Sequence, residues 1–191
     1  QLHFQLPTTE CWSHTWRQPS FQFMHSNHHN GERFINMLPR PAGRGRADLL
    51  KWLITRKSTT WKIDLEKEED ELHTTKRSLP QDRQQASIDD WQVWFVGHAT
   101  VLLQIGPYNL LTDPVWCEYV SPKQGRGPRR VCPAGIALEH LPTIHAVLLS
   151  HNHYDHMDLA TLDWLHQKFE MPIYTGLGNG HYLPKHLHVI E

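Results

Sequence analysis

Residues 144–156 spell a strand that runs straight into a cluster of metal ligands, an arrangement that few folds accommodate. Ile144, Ala146, Val147, Leu148 and Leu149 form a short apolar run suited to a strand buried on both faces. The segment Ser150-His151-Asn152-His153-Tyr154-Asp155-His156 follows at its carboxyl end. A loop leaving such a strand can fold back, so that His151 and His153 reach one metal while Asp155 and His156 reach a second beside it. Neutral imidazole and carboxylate suit zinc and similar divalent ions. The competing reading is a solvated, His-rich turn, since 16 His among 191 residues produce some clustering by chance. The strand and loop context favours the two-zinc reading.

The composition is that of a globular chain. Its length allows one ordinary domain with a sizeable core, and 39% hydrophobic content with 8 Trp argues against disorder. The formal net charge of −1 with His neutral gives no reason to expect nucleic acid as a partner. Imidazoles titrate near pH ~6.5, so the chain turns positive in acid. Cys11, Cys117 and Cys132 are odd in number, lack zinc-type spacing and imply no disulfide framework. No apolar run approaches the roughly 20 residues needed to span a bilayer, and no signal-peptide pattern opens the chain. The start at Gln1 rather than Met suggests the removal of an upstream piece. The compartment stays open between a membrane periphery and the cytoplasm.

Two regions differ in texture. Residues 1–90 read as an extension, broken by His28, His29, Gly31, Pro39, Pro41, Gly43 and Gly45. It contains one short apolar helix, Ala47 to Arg56, with Asp48 in its first turn and Arg56 near its end, as the helix dipole prefers. Leu49, Leu50, Trp52, Leu53 and Ile54 cover most of its surface. Such a helix packs under the main domain or meets a membrane, and its small interfacial area favours packing. Residues 58–90 are a charged arm or linker, with a short helix expected around Leu65 to Leu72. Residues 91–191 turn to short strands: Trp91 to Val96, Thr100 to Ile105 and Tyr108 to Thr112, with hairpin punctuation at Gly97 and Gly106-Pro107. A Pro/Gly/Arg-rich loop then runs from Pro114 to Pro133. Asp158 is placed to cap a helix reaching about Phe169, and Pro172 to Tyr174 and His188 to Ile190 read as two more strands.

The loop pattern His-x-His-x-Asp-His resembles that of the metallo-β-lactamase superfamily. The neighbourhood is similar to N-acylphosphatidylethanolamine phospholipase D and its bacterial relatives. The stretches that carry this are Gly31-Glu32-Arg33-Phe34-Ile35-Asn36, Leu49-Leu50-Lys51-Trp52-Leu53-Ile54, Gly97-His98-Ala99-Thr100-Val101, Leu111-Thr112-Asp113-Pro114 and Ala146 through Asp158. The ligand motif alone marks the superfamily. The Gly-His-Ala-Thr strand, the Thr-Asp-Pro loop and the full Ser-His-Asn-His-Tyr-Asp-His run in this order are more specific.

The resemblance implies an α/β fold, the four-layer αβ/βα sandwich, of which residues 91–191 would form the first half. It implies two zinc ions at one edge of the sheets, with His151 and His153 on one, Asp155 and His156 on the other, and Asp155 and His156 also counted as catalytic. Asp113 and His98 are expected beside them, orienting the ligands. Further ligands are expected beyond Glu191; His181, His186 and His188 fall where an ordinary loop and strand are implied. The implied chemistry is zinc-assisted hydrolysis of a phosphodiester, with no side-chain nucleophile. The implied substrate is a membrane phospholipid, N-acylphosphatidylethanolamine, cleaved to phosphatidic acid and an N-acylethanolamine, which entails peripheral membrane contact. Lys123, Arg126, Arg129 and Arg130 either face anionic headgroups or the substrate phosphate, or are simply a solvated loop. A homodimer is open. Two rival readings are another hydrolase of the superfamily, acting on a lactone, a β-lactam or RNA, and a catalytically inert metal-binding fragment.

Overall fold

A computed structural model describes residues 26–31, 34–35, 45–57, 78–121 and 125–191. The expected helix around Leu65 to Leu72, Cys11 and Lys123 lie outside the described residues. The chain divides into two compact units, one of them spanning Gln18–Ser78 and the other including Leu79–Glu191.

In the unit Gln18–Ser78, helix α1 runs over Arg46–Thr55. Its start is closed by Asp48, whose Oδ2 accepts the Gly45 N–H at 3.2 Å, in the manner of a capping box. None of its residues is buried. Leu49, Leu50, Trp52, Leu53 and Ile54 are between 46% and 75% exposed.

The second unit is built on one mixed sheet. Strands β1 (Trp91–Gly97), β2 (Thr100–Ile105) and β3 (Tyr108–Thr112) form an antiparallel meander; β4 (Ala146–Leu149), β5 (Ile173–Thr175) and β6 (Val189–Ile190) continue it in parallel, in the order β1-β2-β3-β4-β5-β6. The β2–β3 turn is the pair Gly106-Pro107, since Ile105 lies opposite Tyr108. Gly106 sits at φ 56°, and a Cβ there would come within 3.0 Å of the Ile88 backbone, so both conformation and space require glycine.

Helix α2 (Leu159–Phe169) connects β4 to β5 and lays Leu162 and Leu165 on the sheet, the crossover that a parallel pair needs. Its start is capped by Asp158, which accepts the Thr161 N–H. The core gathers Val96, Leu102 and Leu111 from the meander, Val147, Leu149 and Ile173 from the parallel strands, and Met157, Leu162, Leu165 and Met171 around the helix.

Two expectations change here. The strand expected to be buried on both faces is fully covered on one: Val147 and Leu149 are buried, whereas Leu148 on the other face is 37% exposed. The same open face carries Trp91, Val93 and Phe95 at 64–69% exposure, together with Tyr108 and Tyr174. Residues 79–90, read from their charge as part of a linker, are tied to the sheet. Asp82 accepts from Asn109 Nδ2, Thr143 N and Thr143 Oγ1 at 3.0–3.1 Å, and the Gln81 carbonyl accepts from buried Gln104. Charge predicts solvation, but these groups supply the partners that buried Asn109 and Gln104 must have. The mixed α/β architecture is consistent with a metallo-β-lactamase-type fold.

Candidate metal centre

Strand pairing brings three loops to one edge of the sheet. Because β3 and β4 are parallel and Thr112 pairs with Leu148, both strands deliver their following residues, Asp113 and Ser150, side by side. Because Val101 pairs with Thr112, the β1–β2 turn at Gly97-His98-Ala99 arrives at the same edge. Carboxyl ends of parallel strands are the usual place for a site in such sheets.

Asp113 is the fixed point. It is 7% exposed and accepts the Ser150 N–H on Oδ1 at 2.7 Å and the Ser150 hydroxyl on Oδ2 at 2.7 Å. Oδ2 also lies 2.9 Å from His156 Nδ1. An ionised carboxylate only accepts, so His156 carries its proton on Nδ1 and leaves Nε2 with a lone pair. The Ser150 hydroxyl proton goes to Asp113, and Ser150 Oγ stands 2.8 Å from His151 Nδ1. It therefore accepts from Nδ1–H, which leaves the His151 Nε2 lone pair available as well. Asp113 reaches this position at φ 36°, a conformation uncommon outside glycine.

The ligand loop closes as a tight turn, with the His156 and Met157 N–H groups both donating to the His153 carbonyl at 3.0 and 2.7 Å. Met157 is completely buried and anchors the turn to the core. The rings of His151 and His153 are 4.5 Å apart and those of His151 and His156 4.1 Å. Asp155 faces the β1–β2 turn: its Oδ2 is 2.9 Å from His98 Nε2 and 3.6 Å from His156 Nε2. His98, Asp155 and His156 each offer a ligand atom within 4.8 Å of the others. His98, like Asp113, holds a positive φ, 52°. Strained backbone of this kind gathers at functional sites.

Burial first, and then the neighbouring His156 and His153 charges, hold the His151 imidazole below its ordinary pKa. Burial acts to raise the Asp155 pKa, yet its own backbone N–H, the His98 hydrogen bond and the charges of His156 and His98 outweigh this and keep the carboxyl below its ordinary range. A neutral His151 imidazole near an ionised Asp155 carboxylate suits zinc, which takes ligands of both kinds.

The remaining expected residues are placed differently. His181, His186 and His188 are exposed, and His186 Nε2 pairs with Asp163 Oδ1 at 2.5 Å. Arg126 and Arg129 are exposed, and Arg129 forms a fork with Glu118, Nε and Nη2 both 2.6 Å from Oε1. Arg130 is half-buried and donates from Nη2 to the Val115 carbonyl at 2.6 Å. Sequence reasoning assigned no role to Ser150 and saw Asp158 only as a cap. Asp158 Oδ2 also accepts the Trp116 and Cys117 N–H groups at 3.1 and 3.0 Å, and Cys117 Sγ donates to Oδ1 at 3.0 Å. The buried acid thus fastens the loop after Asp113 to the start of α2. The position of Ser150 between strand and ligands was the only signal available for it; the second role of Asp158 had none.

Comparison with known proteins finds similarity over parts of this chain. Residues 108–191 match the beta-lactamase superfamily domain. An uncharacterised protein of Mycobacterium tuberculosis is 44% identical over 90 residues, which are 47% of this chain and 24% of that protein. An N-acyl-phosphatidylethanolamine-hydrolyzing phospholipase D of Caenorhabditis elegans is 42% identical over 64 residues, 34% of this chain and 18% of the worm protein. A mitochondrial protein of the same description from Saccharomyces cerevisiae is 34% identical over 56 residues, 29% of this chain and 12% of the yeast protein. The matched part of this chain covers a quarter or less of these relatives.

Proposed function

We propose that this chain, whose residues 108–191 match the β-lactamase superfamily domain, supplies zinc ligands to a hydrolase that cleaves a phosphodiester. The observation that carries the reading is the convergence of the His151–His156 loop with His98 and Asp113 at one sheet edge. His151, His153, Asp155 and His156 would hold zinc. Bound there, zinc supplies Lewis acidity and makes hydroxide available near neutral pH. The protein's own part is positional: Asp113 fixes the tautomer and orientation of His156, Ser150 does the same for His151, and His98 holds the Asp155 carboxylate. Such supporting bonds commonly tune affinity 10–100-fold.

Similarity to two phospholipases D supports N-acylphosphatidylethanolamine as the substrate, with phosphatidic acid and an N-acylethanolamine as products. A membrane substrate suits helix α1, which exposes Leu49, Leu50, Trp52, Leu53 and Ile54 alongside Arg46, Lys51 and Arg56, the combination that anionic bilayer surfaces take up.

Two measurements test the reading. Zinc titration by calorimetry should show specific binding by residues 1–191 and its near-complete loss in the His151→Ala, His153→Ala double variant. The longest open reading frame that encodes these residues should release phosphatidic acid from N-acylphosphatidylethanolamine, and stop when a chelator is added. Unchanged zinc affinity in the double variant would remove the metal assignment. Turnover of a lactone or β-lactam with the phospholipid left intact would leave only the superfamily hydrolase.

A further inference from the structure

Of the basic residues in the loop between β3 and β4, the structure separates two neighbours. The guanidinium of Arg129 is exposed and taken up by the Glu118 carboxylate. That of Arg130 has no acidic partner among the described residues. Among the described residues it makes one hydrogen bond, from Nη2 to the Val115 carbonyl, and its buried Nε has no partner there. The position is well defined, because the Arg130 N–H donates to the Glu118 carbonyl at 2.7 Å and the Val120 N–H to the Pro128 carbonyl at 3.1 Å.

Both contacts of this guanidinium lie next to the metal edge. Val115 is two residues beyond Asp113, which orients His156. Gly97 precedes His98, which holds Asp155, and a Cβ on Gly97 would come 3.2 Å from Arg130 Nη1. Gly97 lacks that atom, so the guanidinium can lie close against the turn. A half-buried cation without a counter-charge is costly. It is expected where a ligand anion completes it, and the planar fork of arginine matches phosphate oxygens.

We infer that Arg130 is the anion-recognising residue of this site, engaging a phosphate-type oxyanion beside the metal ligands, while Arg129 is spent on Glu118. The inference rests on reading this edge as the substrate site. It narrows the substrate class from any hydrolysable ester or amide to one that carries a phosphoryl oxyanion.

The test uses residues 1–191, zinc-loaded and zinc-free, titrated by calorimetry with inorganic phosphate and with dihexanoylphosphatidic acid below its micellar concentration. Arg130→Gln should weaken binding about tenfold or more, the size of one lost charged contact. Arg129→Gln should leave binding unchanged, and zinc stoichiometry should be the same in all three proteins. Weakening of both probes alike assigns the bare phosphate group; weakening confined to dihexanoylphosphatidic acid assigns the lipid headgroup. Wild-type affinity in Arg130→Gln, an equal loss in Arg129→Gln, or no binding of either probe by the wild type overturns the inference. Should Arg130→Gln fail to fold, Arg130→Lys decides: it keeps the charge and loses the fork, so a severalfold loss supports the inference and unchanged affinity overturns it. Arg130-dependent anion binding in a protein that takes up no zinc would uphold the inference and defeat the metal reading.

Discussion

At the scale of single residues, the site depends on which nitrogen of each imidazole holds the proton. Asp113 and Ser150 settle this for His156 and His151 from beneath the loop, through contacts of 2.9 and 2.8 Å. One consequence is a pH dependence in the metal-free protein. Burial first, and then the closeness of His156 and His153, depresses the His151 pKa in the folded state, so at a given pH the folded chain binds fewer protons there than the unfolded one. The associated stability is complete above the unfolded value of ~6.5 and is lost as pH falls through the lower folded value. Urea midpoints measured with chelator present should therefore drop between about pH 7.5 and about pH 5, and drop less in His151→Asn. Identical drops in both proteins would show that His151 contributes nothing to this dependence.

Among elements, α2 and the loop after β3 are held by one side chain. Asp158 caps the helix through Thr161 and accepts from Trp116 and Cys117, 42 and 41 residues away in sequence. Asp158→Ala removes a cap and takes away the acceptor of the Cys117 N–H and of the Thr161 hydroxyl, while the Trp116 N–H keeps only Thr161 Oγ1. A cost of about 3 kcal/mol is expected, combining a typical cap loss with buried unsatisfied groups, measurable by equilibrium denaturation. A loss under about 1 kcal/mol, the ordinary value of a cap alone, would mean that water replaces the loop contacts at no cost. The helix itself was readable beforehand, since its apolar spacing and its capping aspartate are local signals. The second use of that aspartate was not, because nothing local marks a partner so distant along the chain.

On the scale of the whole molecule, the sheet is covered on one face and open on the other. Trp91, Val93 and Phe95 lie on the open face, in register with Val101, Leu103 and Ile105 of β2, and Tyr108, Leu148 and Tyr174 extend the same surface with exposures of 37–53%. A contiguous apolar surface of this kind promotes association. Residues 1–191 should self-associate with rising concentration in light scattering, and Val93→Thr with Phe95→Ser should reduce this without changing zinc uptake. A monomer at every concentration tested would show that the face is compatible with water as it stands.

What the sequence determined by itself was everything that depends on local geometry. Short β-branched, aromatic and apolar runs marked the strands, Gly106-Pro107 the hairpin, Asp158 the helix start, and the spacing from His151 to His156 the donor loop. The tertiary structure alone decided which distant groups those elements bring together. The parallel pairing of Thr112 with Leu148 places Asp113 43 residues before the His156 that it orients; the meander carries His98 to Asp155 across 57 residues. It also decided that one face of β4 stays open, that Asp82 binds its segment to the sheet, and that Arg129 is neutralised while Arg130 is not. Dihedral preferences and side-chain periodicity act over a few residues and are written in the order of the chain. Strand pairing and burial are set by closing long loops against a shared core, and many sequences with the same local pattern would close them differently.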